Sequence, residues 1–346
     1  MKKIASWALK IGISVALYVY ILSKVDIRRL WDTTKNAQPA YLLSAILIYL
    51  LVQALSAYRW YGLLVPVGMR VSFPRVLALY FLGMYSSLFL PAAIGGDVVK
   101  VYYLNKRSRN LSGATATVFL DRDTGLAALL VIAVVAAAVA GTKFDSVALA
   151  PVFGLFLIGF VAINLALFWR PTYNLVHHLM KLFKLKRPDE KIERMFVSFA
   201  AFRKRPSALT KALLLSLLIQ FGGVLVNSLA GISIGMRTHN GLADYMVFIP
   251  AISLISMIPI SVNGMGWREG AYIILFMSAG ATRDQSTVLS LLWLAILVIT
   301  SLPGGLVYFS EDLAKKLATS SDGYVSPEQL PKEALTPDGL PVVIDE

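Results

Sequence analysis

Residues 76–100 read VLALYFLGMYSSLFLPAAIGGDVVK, an uncharged run that ends in a proline, two glycines and a charged pair. Roughly 20 apolar residues cross the hydrocarbon core of a bilayer as a helix. Pro91 and the Gly95-Gly96 pair interrupt the helix before this run is complete. Basic residues flank the run at both ends, and cytoplasmic loops are enriched in such residues. We therefore predict a re-entrant hairpin that returns to the cytoplasmic side.

Further uncharged runs show that this segment belongs to a polytopic membrane protein. Of the 346 residues, 57% are hydrophobic and only 15% are charged, whereas a typical globular domain carries about 25% charge. Several runs reach the length that a bilayer crossing requires. They are residues 36–58, 124–141, 148–169, 212–236, 245–267 and 285–310.

The placement of positive charge orients the chain. Residues 170–211 carry eleven Lys or Arg against three acids, so we assign the loop 170–206 to the cytoplasm. Residues 4–23 follow two lysines without a small-residue cleavage site and are interpreted as an uncleaved anchor. Both termini are then cytoplasmic. The basic loop 24–38 falls on the outside, against the positive-inside trend, and its topology stays open.

A second broken run suggests an internal repeat. Residues 245–267 contain Pro250, Pro259, Gly264 and Gly266, and we predict a hairpin that enters from outside. Residues 90–96 align with residues 258–264 at an offset of 168. Two such units of opposite orientation form an inverted repeat, which many transporters use to build a substrate site.

The predicted fold class is thus an all-α polytopic membrane protein with about six full spans plus two re-entrant hairpins, in an inverted repeat. The predicted full spans are residues 4–23, 41–58, 118–141, 148–169, 210–236 and 286–310. The membrane domain extends over residues 1–316. Residues 317–346 are polar and proline-containing, and we interpret them as a disordered cytoplasmic tail.

Composition also excludes several functions. The chain has no cysteine, so disulfides, thiolate catalysis and thiolate metal sites are excluded. His177 and His178 lie among lysines in a polar loop, which favours solvated side chains over a metal site. No binding motif accompanies the net charge of +13, so nucleic acid is not the expected partner. We expect no metal and no cofactor.

The first break carries the leading candidate site. Gly95 and Gly96 would let a phosphate approach backbone amides at a helix start. Asp97 and Lys100 lie three residues apart and share a helix face. Lys100 is expected to contact a lipid phosphate, while Asp97 caps the helix, binds a coupling cation or accepts a proton. The alternative is a structural Asp cap with a lysine that extends to the membrane interface.

The second break is the other candidate. Arg268 and Glu269 are adjacent between two uncharged stretches, and charged residues within a membrane usually mark function. Arg268 suits a bidentate phosphate contact, with Glu269 as counter-ion or proton carrier. Asn263, Gly264 and Gly266 supply the irregular backbone. The alternative is a structural pair that neutralises itself or sits at the interface.

Two further clusters have stronger structural interpretations. Asp121 and Arg122 open the run that starts at residue 124, where the acid caps a helix or the cluster takes part in transport. Arg59 and Trp60 end an earlier run, where such residues ordinarily form an interfacial belt.

These residues together resemble a known family, the lysylphosphatidylglycerol synthase transmembrane family. The resemblance covers roughly residues 4–312. Its motifs are Phe89-Leu90-Pro91 leading into Gly95-Gly96-Asp97, Phe119-Leu120-Asp121-Arg122 with Gly125, Pro259 leading into residues 263–270, and Arg59-Trp60. Lys100 stands where the family pattern has Arg, and Asp121 where it has Glu, which puts a bidentate phosphate clamp at position 100 in doubt.

The resemblance implies lipid handling. In the best-understood members this region is similar to a flippase for aminoacylated phosphatidylglycerol, and a separate soluble domain attaches the amino acid. Nothing in the sequence resembles that soluble domain, so we expect no synthase activity. The hypothesis is a flippase-like translocase in the cytoplasmic membrane, a bacterial inner membrane in the members considered, for lipids with an anionic or zwitterionic headgroup. A membrane-embedded transferase and a non-transporting scaffold for a separate lipid-modifying enzyme are the alternatives. A homo-oligomer is left open.

Overall fold

The computed structural model describes residues 37–89, 95–140, 146–168, 198–258 and 266–310, together with Lys35 and Gly264. These residues form helices and no strand, which confirms the all-helical prediction. The helices are α1 (Pro39–Leu64), α2 (Phe73–Phe89), α3 (Gly95–Ser108), α4 (Leu111–Ala140), α5 (Ser146–Phe168), α6 (Pro206–Ser233), α7 (Leu242–Met257), α8 (Trp267–Ser278) and α9 (Arg283–Phe309). A shorter helical stretch covers residues 198–203.

Three of the described helices are long and apolar enough to cross a membrane. They are α1 with the turn that follows it to Val67, α6 and α9, of 29, 28 and 27 residues. They coincide with the predicted spans 41–58, 210–236 and 286–310. The predicted spans 118–141 and 148–169 fall on α4 and α5, and the predicted anchor 4–23 lies outside the described residues.

Each of the two broken runs divides into two helices. The first run gives α2 and α3, and the second gives α7 and α8. Pro91, Pro259 and Asn263 lie outside the described residues. The helices on either side of each break run antiparallel, since Gly96 lies against Ser87 while Gly83 lies against Lys100.

The second pair packs in the same way. Gly264 adopts a left-handed conformation with φ of 73° and lies against Ser256 near the end of α7. Farther from the break, the ring of Phe276 in α8 contacts Tyr245 and Phe248 in α7. In each pair a glycine at the break thus lies against a serine near the end of the preceding helix.

Helices α1 and α6 pack along each other in opposite directions. The Gln38 amide, just before α1, donates to the carbonyl of Ser233 at the end of α6, at 2.8 Å. Farther along, Gly222 lies against the Val52 side chain. Residue numbers thus increase along α1 while those of the facing residues in α6 decrease, so the two helices are antiparallel.

The same two helices share sequence. Leu50-Leu51-Val52-Gln53 aligns with Leu217-Leu218-Ile219-Gln220 at an offset of 167, and Gly68-Met69-Arg70 aligns with Gly235-Met236-Arg237 at the same offset. Both glycines end their helices in the left-handed conformation, with φ of 74° at Gly68 and 67° at Gly235. That conformation favours glycine at helix C-termini. Sequence and backbone geometry therefore agree on the correspondence.

The packing of the remaining helices follows this correspondence. Helix α2 packs on α9 as α7 packs on α4, and α3 packs on α4 as α8 packs on α9. Helix α1 contacts α2, α4 and α9, while α6 contacts α7, α9 and α4. If each of α1–α4 is swapped with its counterpart in α6–α9, the same set of helix contacts results. Helix α5 stands apart and packs on α4 and α7.

Close backbone contact between α2 and α9 yields a first prediction. A Cβ atom on Gly304 would overlap the backbone carbonyl of Phe81. We expect Gly304→Ala to separate the two helices and to destabilise the protein by about 1–3 kcal/mol, measured as a lower Tm in detergent.

Gly223→Ala in α6 is the matched control, because no atom lies within 4 Å of a Cβ at that position. Alanine is favoured over glycine in a helix interior by about 1 kcal/mol, so this variant should keep or raise the Tm. Equal melting temperatures for both variants would contradict the tight contact.

Candidate functional site

The first break positions α3 through backbone packing. Gly95 and Gly96 are both buried. A Cβ atom on Gly96 would overlap the carbonyl oxygen of Gly83 and the hydroxyl of Ser87 in α2. Glycine is therefore required at position 96 for α3 to pack this closely, and the packing brings Asp97 and Lys100 of α3 beside α4.

Asp121 in α4 is the centre of a buried charge cluster. One of its carboxylate oxygens, Oδ1, lies 2.9 Å from both Nε and Nη2 of Arg59 in α1. The other, Oδ2, lies 3.8 Å from Nζ of Lys100. The side chain of Asp121 is 2% exposed and that of Arg59 is 6% exposed. Arg59 Nη1 also donates to the hydroxyl of Ser216 in α6 at 2.6 Å, so four helices meet at this cluster.

Asp97 extends the cluster from Lys100 to Arg122. Its Oδ1 lies 2.9 Å from Nζ of Lys100. Arg122 donates to the same carboxylate through Nε at 2.8 Å and Nη2 at 3.2 Å, a bidentate arrangement that suits a guanidinium. The cluster thus holds three cations and two carboxylates, with a formal excess of one positive charge.

Lys100 is fully enclosed by protein. Besides its two carboxylate partners, its ammonium lies 5.2 Å from the ring centre of Trp60 and 4.8 Å from that of Tyr80. Cation–π contacts of this kind stabilise a desolvated ammonium. With a side chain only 5% exposed, Lys100 is enclosed in this arrangement and does not face an approaching headgroup.

Arg122 is the open member of the cluster. Its side chain is 62% exposed, whereas that of its partner Asp97 is 9% exposed. A guanidinium facing hydrocarbon is costly, so an exposed Arg in a membrane protein is expected to face a water-filled cavity or the headgroup region. An anion that approaches the cluster would therefore meet Arg122 first.

Two structural interpretations drawn from the sequence are wrong. Asp121 does not cap a helix, because α4 begins at Leu111 and Asp121 lies well inside it. Arg59 and Trp60 do not form an interfacial belt, because both are buried, with Trp60 at 0% exposure. The helix α1 continues to Leu64, which places these two residues in the core.

The second break places Arg268 and Glu269 in the first turn of α8. The carboxylate of Glu269 accepts from the backbone amide of Gly266 at 2.6 Å and from Arg268 at 2.5 Å and 3.1 Å. Gly266 has a φ of 79°, a conformation that favours glycine. Glu269 therefore caps the helix and neutralises Arg268, so the predicted pairing of these two residues is found in the structure.

A buried side-chain hydrogen bond joins α6 to α8 beyond the second break. Asn227 in α6 accepts from the hydroxyl of Tyr272 in α8 at 2.6 Å. The structure brings the predicted residues into two clusters, one at the first break and one at the second.

Asp123 lies apart from the cluster despite its neighbours in sequence. Its carboxylate accepts from the side-chain amide of Asn164 in α5 at 3.0 Å. Since a helix turns about 100° per residue, three consecutive charged residues of α4 point in different directions. Asp123 thus joins α4 to α5, outside the repeated helices.

These features define an all-helical membrane protein with a buried ionic cluster beside a broken helix. The chain belongs to the family of the lysylphosphatidylglycerol synthase transmembrane region, which matches residues 7–304. Among its relatives, a UPF0104 membrane protein of Pyrococcus horikoshii is 26% identical over 342 residues, covering 90% of this chain and 98% of its own. A UPF0104 membrane protein of Methanothermobacter thermautotrophicus is 25% identical over 334 residues, covering 88% of this chain and 95% of its own.

Removing the central carboxylate tests the cluster. Asp121→Asn leaves Arg59 and Lys100 without their shared counter-ion, and breaking a buried ion pair from one side costs about 3–5 kcal/mol. We expect a clearly lower Tm in detergent than for the parent protein.

Asp123→Asn is the control for the neighbouring carboxylate, since Asp123 has a neutral amide partner. We expect a change of less than about 1 kcal/mol, because this substitution leaves no buried cation unpaired. If the two variants lose equal stability, the central position assigned to Asp121 is incorrect.

Proposed function

We propose that the protein is a flippase-like translocase that moves a lipid with an anionic or zwitterionic headgroup between the leaflets of the cytoplasmic membrane. The observation that carries the proposal is the buried cluster of Asp97, Lys100, Asp121, Arg59 and Arg122, with its excess positive charge and its single open guanidinium. Charged residues within a membrane protein are costly and are retained mainly where they act on substrates or ions.

In this proposal Arg122 makes the first contact with the headgroup. Guanidinium groups bind phosphate through two parallel hydrogen bonds, the geometry that Arg122 now uses with Asp97. Arg268 serves at the second break, where its present partner is Glu269. At the second break the Gly266 amide, which Glu269 now holds at 2.6 Å, lies at a helix start, where anions bind. Asp97, Glu269 and Asp121 tune the cycle through their competition for the cations.

The proposed topology provides a route between these two sites. It has six full spans and two re-entrant hairpins, with the loop 170–206 and both termini in the cytoplasm. Support comes from the antiparallel packing of α1 and α6, whose sequences correspond, because corresponding helices of an inverted repeat run in opposite directions. The α2–α3 and α7–α8 pairs, each folded back at a break, support the two hairpins of this topology.

Lipid exchange in liposomes tests the proposal. Purified protein should accelerate the movement of a fluorescent phosphatidylglycerol between leaflets, and Arg122→Ala should slow it about tenfold or more, since a hydrogen bond to a charged group contributes about 1.5–3 kcal/mol. Asp97→Ala should also reduce the rate.

Arg203→Ala is the matched control, because Arg203 is an exposed cation in the basic loop. Its rate should equal that of the parent. The scaffold hypothesis makes the opposite prediction, since substitutions at Arg203, Lys204 and Arg205 would then abolish function while Asp97→Ala would not. Failure to accelerate any lipid would contradict the translocase.

A panel of headgroups separates charge recognition from general lipid scrambling. Phosphatidylglycerol and phosphatidylethanolamine should be exchanged, whereas a neutral glycolipid without phosphate should not compete with them. Equal rates for all three lipids would show that the cationic cluster does not select the substrate. Release of a modified lipid product would favour the membrane-embedded transferase instead.

A further inference from the structure

Two glutamines occupy corresponding positions at the contact between the repeats. Gln53 and Gln220 end the matching segments Leu50–Gln53 and Leu217–Gln220 of α1 and α6. The contacts of Gln38 with Ser233 and of Val52 with Gly222 set the antiparallel register of these helices. In that register the two glutamines lie at the same level along α1 and α6. They are therefore close to the approximate two-fold axis that relates α1–α4 to α6–α9.

Their hydrogen bonds are not equivalent. Gln220 reaches across to the neighbouring helix and donates through Nε2 to the backbone carbonyl of Gly125 in α4, at 3.1 Å. Gln53 lies beside the hydroxyl of Tyr49 on its own helix, and within the described residues its side chain makes no hydrogen bond to another helix. A symmetric pair of residues is thus held in an asymmetric arrangement.

Each glutamine has a second candidate hydrogen-bond partner within the packing of the repeats: Ser216 for Gln220, and the backbone of α9 for Gln53. Tyr49 corresponds to Ser216 at the offset of 167, and Ser216 now accepts from Arg59 at 2.6 Å. Thr117-Val118 in α4 aligns with Thr287-Val288 in α9. This alignment places Ala295 at the position of Gly125. Helix α9 is close to Gln53 at this level, since the Trp293 ring lies 5.1 Å from that of Tyr49.

We propose that Gln53 and Gln220 form a two-way latch, in which each glutamine holds one of two exchanged arrangements of the repeats. The structure shows the arrangement held by Gln220. In the other, Gln53 donates to a backbone carbonyl of α9 near Ala295, and Gln220 returns to its own helix at Ser216. In that arrangement Arg59 no longer donates to Ser216 but keeps its ion pair with Asp121. The change between the two arrangements therefore also alters the charge cluster.

A difference of one hydrogen bond is enough to bias such an equilibrium. Repeats with matching packing have two arrangements of similar free energy. A net hydrogen bond changes the ratio of two such populations by about fivefold. Removing either glutamine should therefore shift the populations, and the two removals should act in opposite directions.

The absence of native cysteine makes the two arrangements measurable with spin labels. One pair of labels spans α2 and α9 at Phe89 and Leu306, which are 70% and 77% exposed. The other spans α4 and α7 at Val135 and Met257, which are 52% and 50% exposed. Phe89 and Met257 occupy corresponding positions in the two halves, so the pairs report on corresponding interfaces.

The test measures both distances in nanodiscs, without any labelled lipid. The latch builds on the inverted repeat of the proposed function, but a failed latch would leave lipid exchange possible, and failed exchange would not alter the distances. Gln220→Leu should increase the population of the second arrangement about fivefold, with a shift of about 5 Å in the two distances in opposite senses. Gln53→Leu should decrease that population.

Asn164→Leu is the control, because its amide joins α4 to α5 away from the axis, and it should leave both distributions unchanged. If Gln220→Leu does not fold, Gln220→Asn shortens the same donor and should shift the populations in the same direction. Shifts of the same sign for Gln53→Leu and Gln220→Leu, or unchanged distributions in both, would overturn the latch.

Discussion

The pairing of Asp121 with Arg59 and Lys100 is the interaction on which the site depends. Removing charges from water costs several kcal/mol per ion, and the attraction between them compensates only when their geometry is well matched. The three residues come from α1, α3 and α4, and Arg59 also holds Ser216 in α6. A displacement of any of these helices would leave a buried charge unpaired. The cluster therefore fixes the helix that starts at the first break relative to the core.

The two halves of the chain share a framework and differ in their charges. Helices α1–α4 and α6–α9 repeat the same packing pattern. At the offset of 167, however, Arg59 corresponds to Val226 and Trp60 to Asn227. The first half thus carries a cluster with excess positive charge, whereas the second half carries the neutral pair of Arg268 and Glu269. Small residues at helix contacts preserve the framework, and the side chains that face the interior set the chemistry of each half.

Local sequence patterns predicted the helices and the breaks, because uncharged runs and the prolines and glycines that interrupt them are read directly from neighbouring residues. Asp97 and Lys100 could be paired from their spacing on one helix. The partners of Asp121 could not, since Arg59 is separated from it by 62 residues in sequence and Lys100 lies on a different helix. Arg59 ends an uncharged run, and the same pattern describes a helix that stops at the interface and one that continues in the core. The matching Gly68-Met69-Arg70 and Gly235-Met236-Arg237 triplets mark the ends of corresponding helices, and they indicate that α1 continues past Arg59.

The connectivity of the cluster explains how a site of this kind could release its substrate. A transport site must bind strongly enough to admit the substrate and weakly enough to let it leave. Asp97 contacts two cations, Arg122 at 2.8 Å and Lys100 at 2.9 Å. In the proposed cycle a headgroup phosphate takes Arg122, while Asp97 keeps Lys100 and is not left unpaired. One charge-assisted pair replaces another, so binding and release have similar free energies. An isolated arginine would lack this exchange, because release of the anion would leave its charge unpaired.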